Sequence, residues 1–285
     1  MTVSAPEALR KLRVAAVQMT SSEDIEGNLT TAAKLVRQAT ADGARLIGLP
    51  ENFAFVGTDR DHRLSIAEPL EPTAGNAFPG KILGGMMRLA AETGVHLLLG
   101  GFPEQGQDAT QIRNTAVLLG PDGRIEARYR KIHLFDVDLP GGARFRESET
   151  IEAGKDMVVA QLPWGGLGLS ICYDLRFPEL YRGLMSAGAR VLAIPSAFTA
   201  ETGKDHWHVL LRARAIENQA FVLAPAQFGL HGGQRRSYGH ALIVDPWGTV
   251  IAECGDHEGF ALGDLDFGYQ DTLRARLPCL THRRL

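Results

Sequence analysis

An apolar run, an amphipathic stretch and a second apolar run open this chain in that order, and the order restricts the architectures available to it. Leu12 to Met19 reads as a buried strand, and Ile25 to Thr40 follows with Leu29, Ala33, Leu35 and Val36 at helical spacing, ended by Asp42-Gly43. Arg45 to Leu49 is again a short apolar strand, so the chain begins as a β-α-β unit. Lys81 to Thr93 then reads as a helix, His96 to Phe102 as a strand, and Thr115 to Arg130 as a hairpin turned by Pro121-Asp-Gly123.

After a Gly/Arg/Glu-rich loop from Phe135 to Gly154 the plan repeats. Strands are expected at Met157–Leu162 and Gly166–Cys172, a helix from Pro178, and a strand at Arg190–Pro195. A helix from Lys204 to Gln219 precedes strands at Ala220–Ala226, Gly239–Val244, Val250–Glu253 and Gly259–Leu265. Strands outnumber helices, and no Pro/Ser-rich linker, low-complexity tract or short-period repeat divides the chain. Helices flanking two sheets in one compact unit is the economical architecture. The 285 residues suffice for a sizeable core and sit near the upper end for one α/β domain. Gln270 to Leu285, with Pro, Cys and His interruptions and several Arg, reads as an arm over a partner or a loose tail.

Bulk properties exclude several function classes. With 45% hydrophobic and 22% charged residues and a net charge of -3, the chain has no basic excess to hold a phosphate backbone, so nucleic acid is not expected as a partner. No stretch approaches the roughly 18 consecutive apolar residues of a membrane span. Met1 to Arg13 lacks the charged, apolar and cleavage-site succession of a secretory signal, and a cytoplasmic location is expected. Cys172, Cys254 and Cys279 are an odd number without C-x-x-C spacing, so neither a disulfide framework nor a zinc site is indicated. His206 and His208 flank Trp207, but i, i+2 spacing on a helix points them to different faces, which disfavours shared metal binding.

The chemistry gathers at apolar-run ends. Cys172 ends Gly166-Leu-Gly-Leu-Ser-Ile and is followed at once by the polar helix start Tyr173-Asp-Leu-Arg-Phe-Pro-Glu179. A strand stopping at a helix N-terminus offers unpaired N–H groups and partial positive charge, which lower a thiol's pKa and bind a developing oxyanion. Core packing is the competing role for a lone cysteine. Glu51 follows Leu46-Ile-Gly-Leu-Pro50, where α/β folds gather functional residues; a solvent-exposed glutamate is its alternative. Lys131, in Tyr129-Arg-Lys-Ile-His133, is either a solvated member of a basic cluster or an ammonium fixed beside the thiol. Glu147 in the following loop either orients that lysine or lies on the surface.

Taken together, Leu49-Pro-Glu51, Arg130-Lys-Ile-His133 and Cys172-Tyr-Asp-Leu-Arg-Phe-Pro-Glu179 resemble the three catalytic blocks of the nitrilase superfamily of carbon–nitrogen hydrolases, in order and separation. The resemblance covers Leu12 to Phe267 and implies a domain at 12–267, followed by the arm or tail 268–285. It implies a four-layer α-β-β-α sandwich that dimerises into an eight-layer assembly, and a Glu-Lys-Cys triad without metal or organic cofactor. Carried onto this chain, Glu51 is the general base, Cys172 the nucleophile, Lys131 with the Tyr173 backbone N–H the oxyanion partners, and Glu147 the second glutamate. The reaction so implied splits an amide through a cysteine thioester.

Within the superfamily, Pro195-Ser-Ala-Phe-Thr199, His206 through Asn218, Ala226-Gln-Phe-Gly229 and Ser237 through Gly248 resemble the deaminated glutathione amidase branch. An ω-amidase acting on α-ketoglutaramate or α-ketosuccinamate, a nitrilase and an N-carbamoyl amidohydrolase are the alternatives. A non-enzymatic scaffold would be expected to lose one of Glu51, Lys131 or Cys172, and none is lost. Arg176 matches a position that grips a substrate carboxylate in related carbamoylases, or else pairs with Asp174 or Glu179. Phe198 and Thr199 either line the pocket or pack in the core. There is no G-x-S-x-G elbow or H-E-x-x-H motif.

Overall fold

The structure, a computed structural model, describes residues 10–57, 59–71, 80–108, 110–139, 142, 144–233 and 235–284. Met1 to Leu9 of the Met1–Arg13 stretch lie outside the described residues, as do Pro140, Gly141 and Ala143 of the 135–154 loop. The first half contains β1 (Lys11–Met19), α1 (Ile25–Ala41), β2 (Leu46–Gly48), α2 (Arg60–Ser65), α3 (Lys81–Thr93), β3 (His96–Gln105), β4 (Ile112–Leu119) and β5 (Ile125–Arg130). A short ribbon, β6 (Asp136–Asp138) with β7 (Arg144–Arg146), leads to β8 (Val159–Leu162), β9 (Gly165–Leu169), α4 (Pro178–Ser186), β10 (Ala189–Ala193) and α5 (Ala200–Asn218). The chain closes with β11 (Phe221–Ala224), β12 (Ala226–His231), β13 (Arg235–Tyr238), β14 (Leu242–Val244), β15 (Val250–Glu253), β16 (Gly259–Asp266), α6 (Phe267–Arg276) and α7 (Cys279–His282).

Two mixed sheets organise these elements. The larger runs β13-β12-β1-β2-β3-β4-β5, with β16 also pairing β1; the smaller runs β15-β14-β11-β10-β9-β8. β1, β2 and β3 are parallel, as the opening β-α-β pattern requires, while β3, β4 and β5 are antiparallel. Strand periodicity divides the larger sheet's residues between two cores. Val14, Ala16, Leu46 and Leu98 pack with the smaller sheet's Leu169, Leu192 and Val222, whereas Ala15, Val17, Ile47 and Leu97 pack with α1 and α3. On the smaller sheet, α4 lies against β9 and β10, and α5 against β11 and β14.

Helix ends follow local chemistry. Asp24 caps α1 by accepting from the Gly27 N–H, and Thr199 caps α5 by accepting from the Thr202 N–H. The expected strand over Ala220–Ala226 is two strands: Pro225 lacks an N–H, and β11 belongs to the smaller sheet while β12 belongs to the larger. Ser196 bridges Ala226 beside this crossing, so the two sheets meet there. β13 and the β6–β7 ribbon have no counterpart in the apolar pattern, because Arg-Arg-Ser-Tyr and Asp-Val-Asp are polar segments; the ribbon is held by its backbone ladder and by ion pairs from Arg144 and Arg146 to Asp138. Within the expected arm, Gln270 is buried and its amide donates to the carbonyls of Arg190 (2.9 Å) and Gln219 (3.0 Å). No helix among the described residues is long and apolar enough to cross a membrane.

Candidate active site

Glu51, Lys131 and Cys172 each stand just past the end of a strand, and the strands come from both sheets. β2 ends at Gly48; the Leu49 N–H still donates to the Leu98 carbonyl (2.8 Å), and Pro50 then stops the ladder before Glu51. Lys131 follows β5, its N–H donating to the Asn114 carbonyl (2.9 Å). Cys172 opens a 3-10 turn, Cys172–Arg176, beyond β9 and has φ of 48°, a left-handed conformation rare for a residue with a side chain. Its N–H donates to the Pro195 carbonyl (3.0 Å), which ties the turn to the end of β10.

The side chains form one hydrogen-bonded group. The Lys131 ammonium donates to Oε1 of Glu51 (2.9 Å) and to both oxygens of Glu147 (3.0 and 2.8 Å). Oε1 of Glu51 also accepts from the Asn114 amide (2.9 Å), and Oε2 from the Ala197 N–H (3.1 Å). Asn114 donates to Glu147 as well (3.1 Å), and the Phe135 N–H donates to Oε2 of Glu147 (2.7 Å). Glu51 is 3% exposed, Lys131 2% and Cys172 8%, so the alternative of a solvated surface cluster is removed.

Burial alone would neutralise these charges, and the network opposes it. Desolvation pushes Glu51 up, but the Lys131 ammonium and the hydrogen bonds around it hold its pKa below the usual carboxylate value. Desolvation pulls Lys131 down, and Glu147 and Glu51 more than reverse this, so the ammonium is retained. The thiol behaves oppositely to the expectation from its place at a helix start. Desolvation and the Glu51 carboxylate raise Cys172 well above the usual thiol value, and Lys131 only partly offsets them. These directions favour a carboxylate, an ammonium and a protonated thiol near neutral pH.

A buried aspartate supports the turn. Asp174 accepts from the Ile171 N–H (2.8 Å) and the Tyr129 hydroxyl (2.7 Å) with one oxygen, and meets the N–H (3.1 Å) and Nδ1 (2.7 Å) of His133 with the other. The turn bearing Cys172 is thereby fastened to the strand end bearing Lys131. This also settles one alternative for Arg176, since Asp174 is committed elsewhere. Close backbone approach at Glu51 requires glycine at 101, where φ is 64° and a Cβ would lie 2.7 Å from the Asn52 nitrogen and 3.0 Å from Cγ of Glu51.

A cavity of about 360 Å³ opens onto the group and is lined by Glu51, Lys131, Glu147 and Cys172 together with Tyr173, Arg176, Phe198 and Thr199. The Tyr173 ring meets Phe135 edge-on at 5.1 Å. Arg176 lies over Phe198 (5.2 Å) and approaches Nδ1 of His206 (3.3 Å). Phe198 packs against Trp207 (5.0 Å), and the Thr199 hydroxyl is engaged with Thr202, so both line the wall while serving the fold.

Residue-by-residue reading missed Asn114, Arg60, Arg63 and Arg235. Asn114 had a signal, a polar side chain inside the apolar run Ile112–Leu119. The arginines had none: they border the same cavity, and with Arg176 they form no contact ion pair with a carboxylate among the described residues, although Glu147 and Glu51 act on Arg63 at longer range. Arg144 and Arg146, also on the rim, are occupied by Asp138.

Known proteins resemble this chain over most of its length. The carbon-nitrogen hydrolase family matches residues 13–275. A Synechocystis protein named deaminated glutathione amidase is 46% identical over 272 residues, covering 94% of this chain and 97% of that protein. The structure of Saccharomyces cerevisiae Nit3, described as a member of branch 10 of the nitrilase superfamily, superposes with a TM-score of 0.85 at 32% identity, covering 99% of this chain and all of the other. The Caenorhabditis elegans NitFhit protein gives a TM-score of 0.87 at 40% identity, with 96% of this chain covering 65% of that one. With strand-end Glu51, Lys131 and Cys172 converging on one cavity, and a family match across nearly its whole length, the chain belongs to the carbon–nitrogen hydrolases of the nitrilase superfamily.

Proposed function

We propose that Cys172 is the nucleophile, Glu51 the general base and acid, Lys131 and the Tyr173 backbone N–H the oxyanion partners, and Glu147 the residue that positions Lys131. The carrying observation is that the carboxylate, the ammonium and the sulfur border one cavity, where Lys131 lowers the pKa of Glu51 while burial and Glu51 raise that of the thiol. A protonated thiol needs its proton removed as it attacks, and a carboxylate held ionised beside it does this. Sulfur adds to the amide carbonyl, Glu51 takes the thiol proton, and negative charge on oxygen meets Lys131 and the Tyr173 N–H. Glu51 then protonates the departing nitrogen, leaving a thioester and a free amine. Water, deprotonated by the same carboxylate, attacks the thioester; the acid product leaves and the thiol recovers its proton.

The substrate is proposed to be deaminated glutathione, as in the named Synechocystis relative. It is an extended amide with a carboxylate at each end, and the cavity wall offers Arg60, Arg63, Arg176 and Arg235, none of them in a contact ion pair with a carboxylate among the described residues. Guanidinium forks suit carboxylates. We further propose one hydrolase domain at 12–267 in an α-β-β-α layering, working in the cytoplasm. It pairs into an eight-layer dimer through the helical face of α5, where Val209 and Ile216 are exposed.

The test is a product assay across deaminated glutathione, α-ketoglutaramate, an aliphatic nitrile and an N-carbamoyl amino acid. Cysteinylglycine release from the first is expected; ammonia from α-ketoglutaramate alone would assign an ω-amidase instead. Cys172→Ala is expected to be inactive and folded, and near-normal turnover by it would refute the nucleophile.

A further inference from the structure

A second cluster of ligating side chains lies outside the cavity and has no part in the amide chemistry. Nε2 of His208, on α5, is 2.9 Å from Oε1 of Glu253, at the end of β15. Nδ1 of His240, in the link between β13 and β14, is 2.7 Å from the same oxygen. The ligand atoms of the three residues all lie within 4.8 Å of one another. Each side chain is about one-third exposed or less, at 31%, 26% and 33% for His208, His240 and Glu253, so the group faces water from a partly walled position.

The surroundings hold this arrangement in place. His240 has φ of 58°, a left-handed conformation that only local constraint retains, and its carbonyl accepts from the Trp207 indole (2.8 Å). Trp207 is the neighbour of His208 in the chain, so the two imidazoles are fixed relative to each other through a buried ring. On the far side of His240, Nε2 lies 3.5 Å from Oδ1 of Asp256. A histidine whose second ring nitrogen faces a carboxylate is the usual outer arrangement around a metal-ligating imidazole.

We propose that His208, Glu253 and His240 form a binding site for a borderline divalent transition cation of the zinc type, with a fourth position open to water. Two imidazoles and one carboxylate suit Zn²⁺ or Co²⁺ and not the all-oxygen preference of Mg²⁺ or Ca²⁺. Tetrahedral zinc with bonds near 2.0–2.1 Å separates its ligand atoms by about 3.3 Å, so the present N···O contacts open by roughly half an ångström on binding. Each imidazole then binds through its unprotonated nitrogen and keeps its one proton on the other, Nδ1 of His208 and Nε2 of His240, the latter facing Asp256. A bound cation joins α5, β15 and the β13–β14 link. The i, i+2 divergence of His206 and His208 holds, because His206 turns to Arg176 while His208 finds partners distant in sequence.

Calorimetric titration of the chelator-treated chain with Zn²⁺, and visible absorption with Co²⁺, test the site. One equivalent per chain is expected, and His208→Ala and Glu253→Gln are expected to remove it. Asp256→Asn is expected to weaken it by about 10-fold. Cys172→Ser is expected to retain the equivalent, which separates this site from the reactive thiol. Far-UV circular dichroism verifies that the variants are folded, and addition of Zn²⁺ is expected to raise the Tm of the parent and not of Glu253→Gln. Absence of any bound equivalent in the parent, or an equivalent that survives His208→Ala and disappears with Cys172→Ser, would overturn the proposal.

Discussion

Lys131 and Glu51 share a single short contact, Nζ to Oε1 at 2.9 Å, inside a group from which water is nearly excluded. The same ammonium also binds both oxygens of Glu147, so it separates two carboxylates that would otherwise face each other in a dry site.

Lys131→Met removes that separation. Transition-state stabilisation is expected to fall by about 3 kcal/mol, as for loss of a strong oxyanion donor. Folding stability is expected to fall by about 3–5 kcal/mol, because the buried Glu51 and the partly buried Glu147 lose their counter-charge. Steady-state kinetics and urea denaturation check the two effects separately; a change confined to KM would contradict the assigned role.

The thiol and the carboxylate titrate in opposite directions from their ordinary values, and this fixes the pH behaviour. Alkylation of Cys172 by iodoacetamide is expected to show no thiolate plateau at or below pH 9.0, the ordinary thiol value, because burial and Glu51 raise it. The acid limb of kcat/KM is expected below 4.5, the ordinary glutamate value, because Glu51 must stay ionised and its pKa is depressed. By linkage, the stability Glu51 supplies is present above 4.5 and is lost as pH falls through the lower folded value. A limb near neutrality that disappears in Glu51→Gln would contradict the assignment.

Gly101→Ala forces a Cβ against the Asn52 nitrogen and Cγ of Glu51 in a left-handed conformation. The variant is expected to lose more than about 1 kcal/mol of stability, since alanine at positive φ is strained. Its kcat is expected to fall more than KM rises, because the displaced group is the proposed base. Thermal denaturation paired with initial rates tests this.

Arg63 borders the cavity and donates to the Gly57 carbonyl (3.1 Å), with burial and Arg235 lowering its pKa. Two guanidinium groups held near each other favour an incoming anion. Arg63→Met is expected to reduce kcat/KM for carboxylate-bearing amides about 10- to 100-fold, the worth of one charged hydrogen bond at roughly 1.5–3 kcal/mol. Hydrolysis of a neutral amide of similar size is expected to change little, and equal losses on both would make Arg63 structural.

Much of this was legible in the chain because strand-end chemistry leaves local marks. An apolar run followed by Pro50-Glu51, or by Cys172 and a polar turn, records both the element and what stands beyond it. The helix Lys81–Thr93 was readable for the same reason, its apolar positions repeating at helical spacing. Contacts made only by folding left no such mark. Asp174 looked like a partner for Arg176, yet it binds Ile171, Tyr129 and His133, two of them more than 40 positions away. The thiol's ionisation was misread because a helix start is visible in sequence and burial beside a carboxylate is not. Pro225 was visible, but the passage of the chain between sheets at that residue depends on the whole strand order.

The anchorage at Asp174 makes catalytic alignment a property of how the sheets dock. Cys172, the proposed nucleophile, and Lys131 arrive on different sheets, and this carboxylate fixes one to the other by touching both chain segments. Slippage of a fraction of an ångström at that seam would leave every strand paired and the protein inert. Activity should therefore vanish at milder denaturant than circular dichroism does, with the seam yielding first.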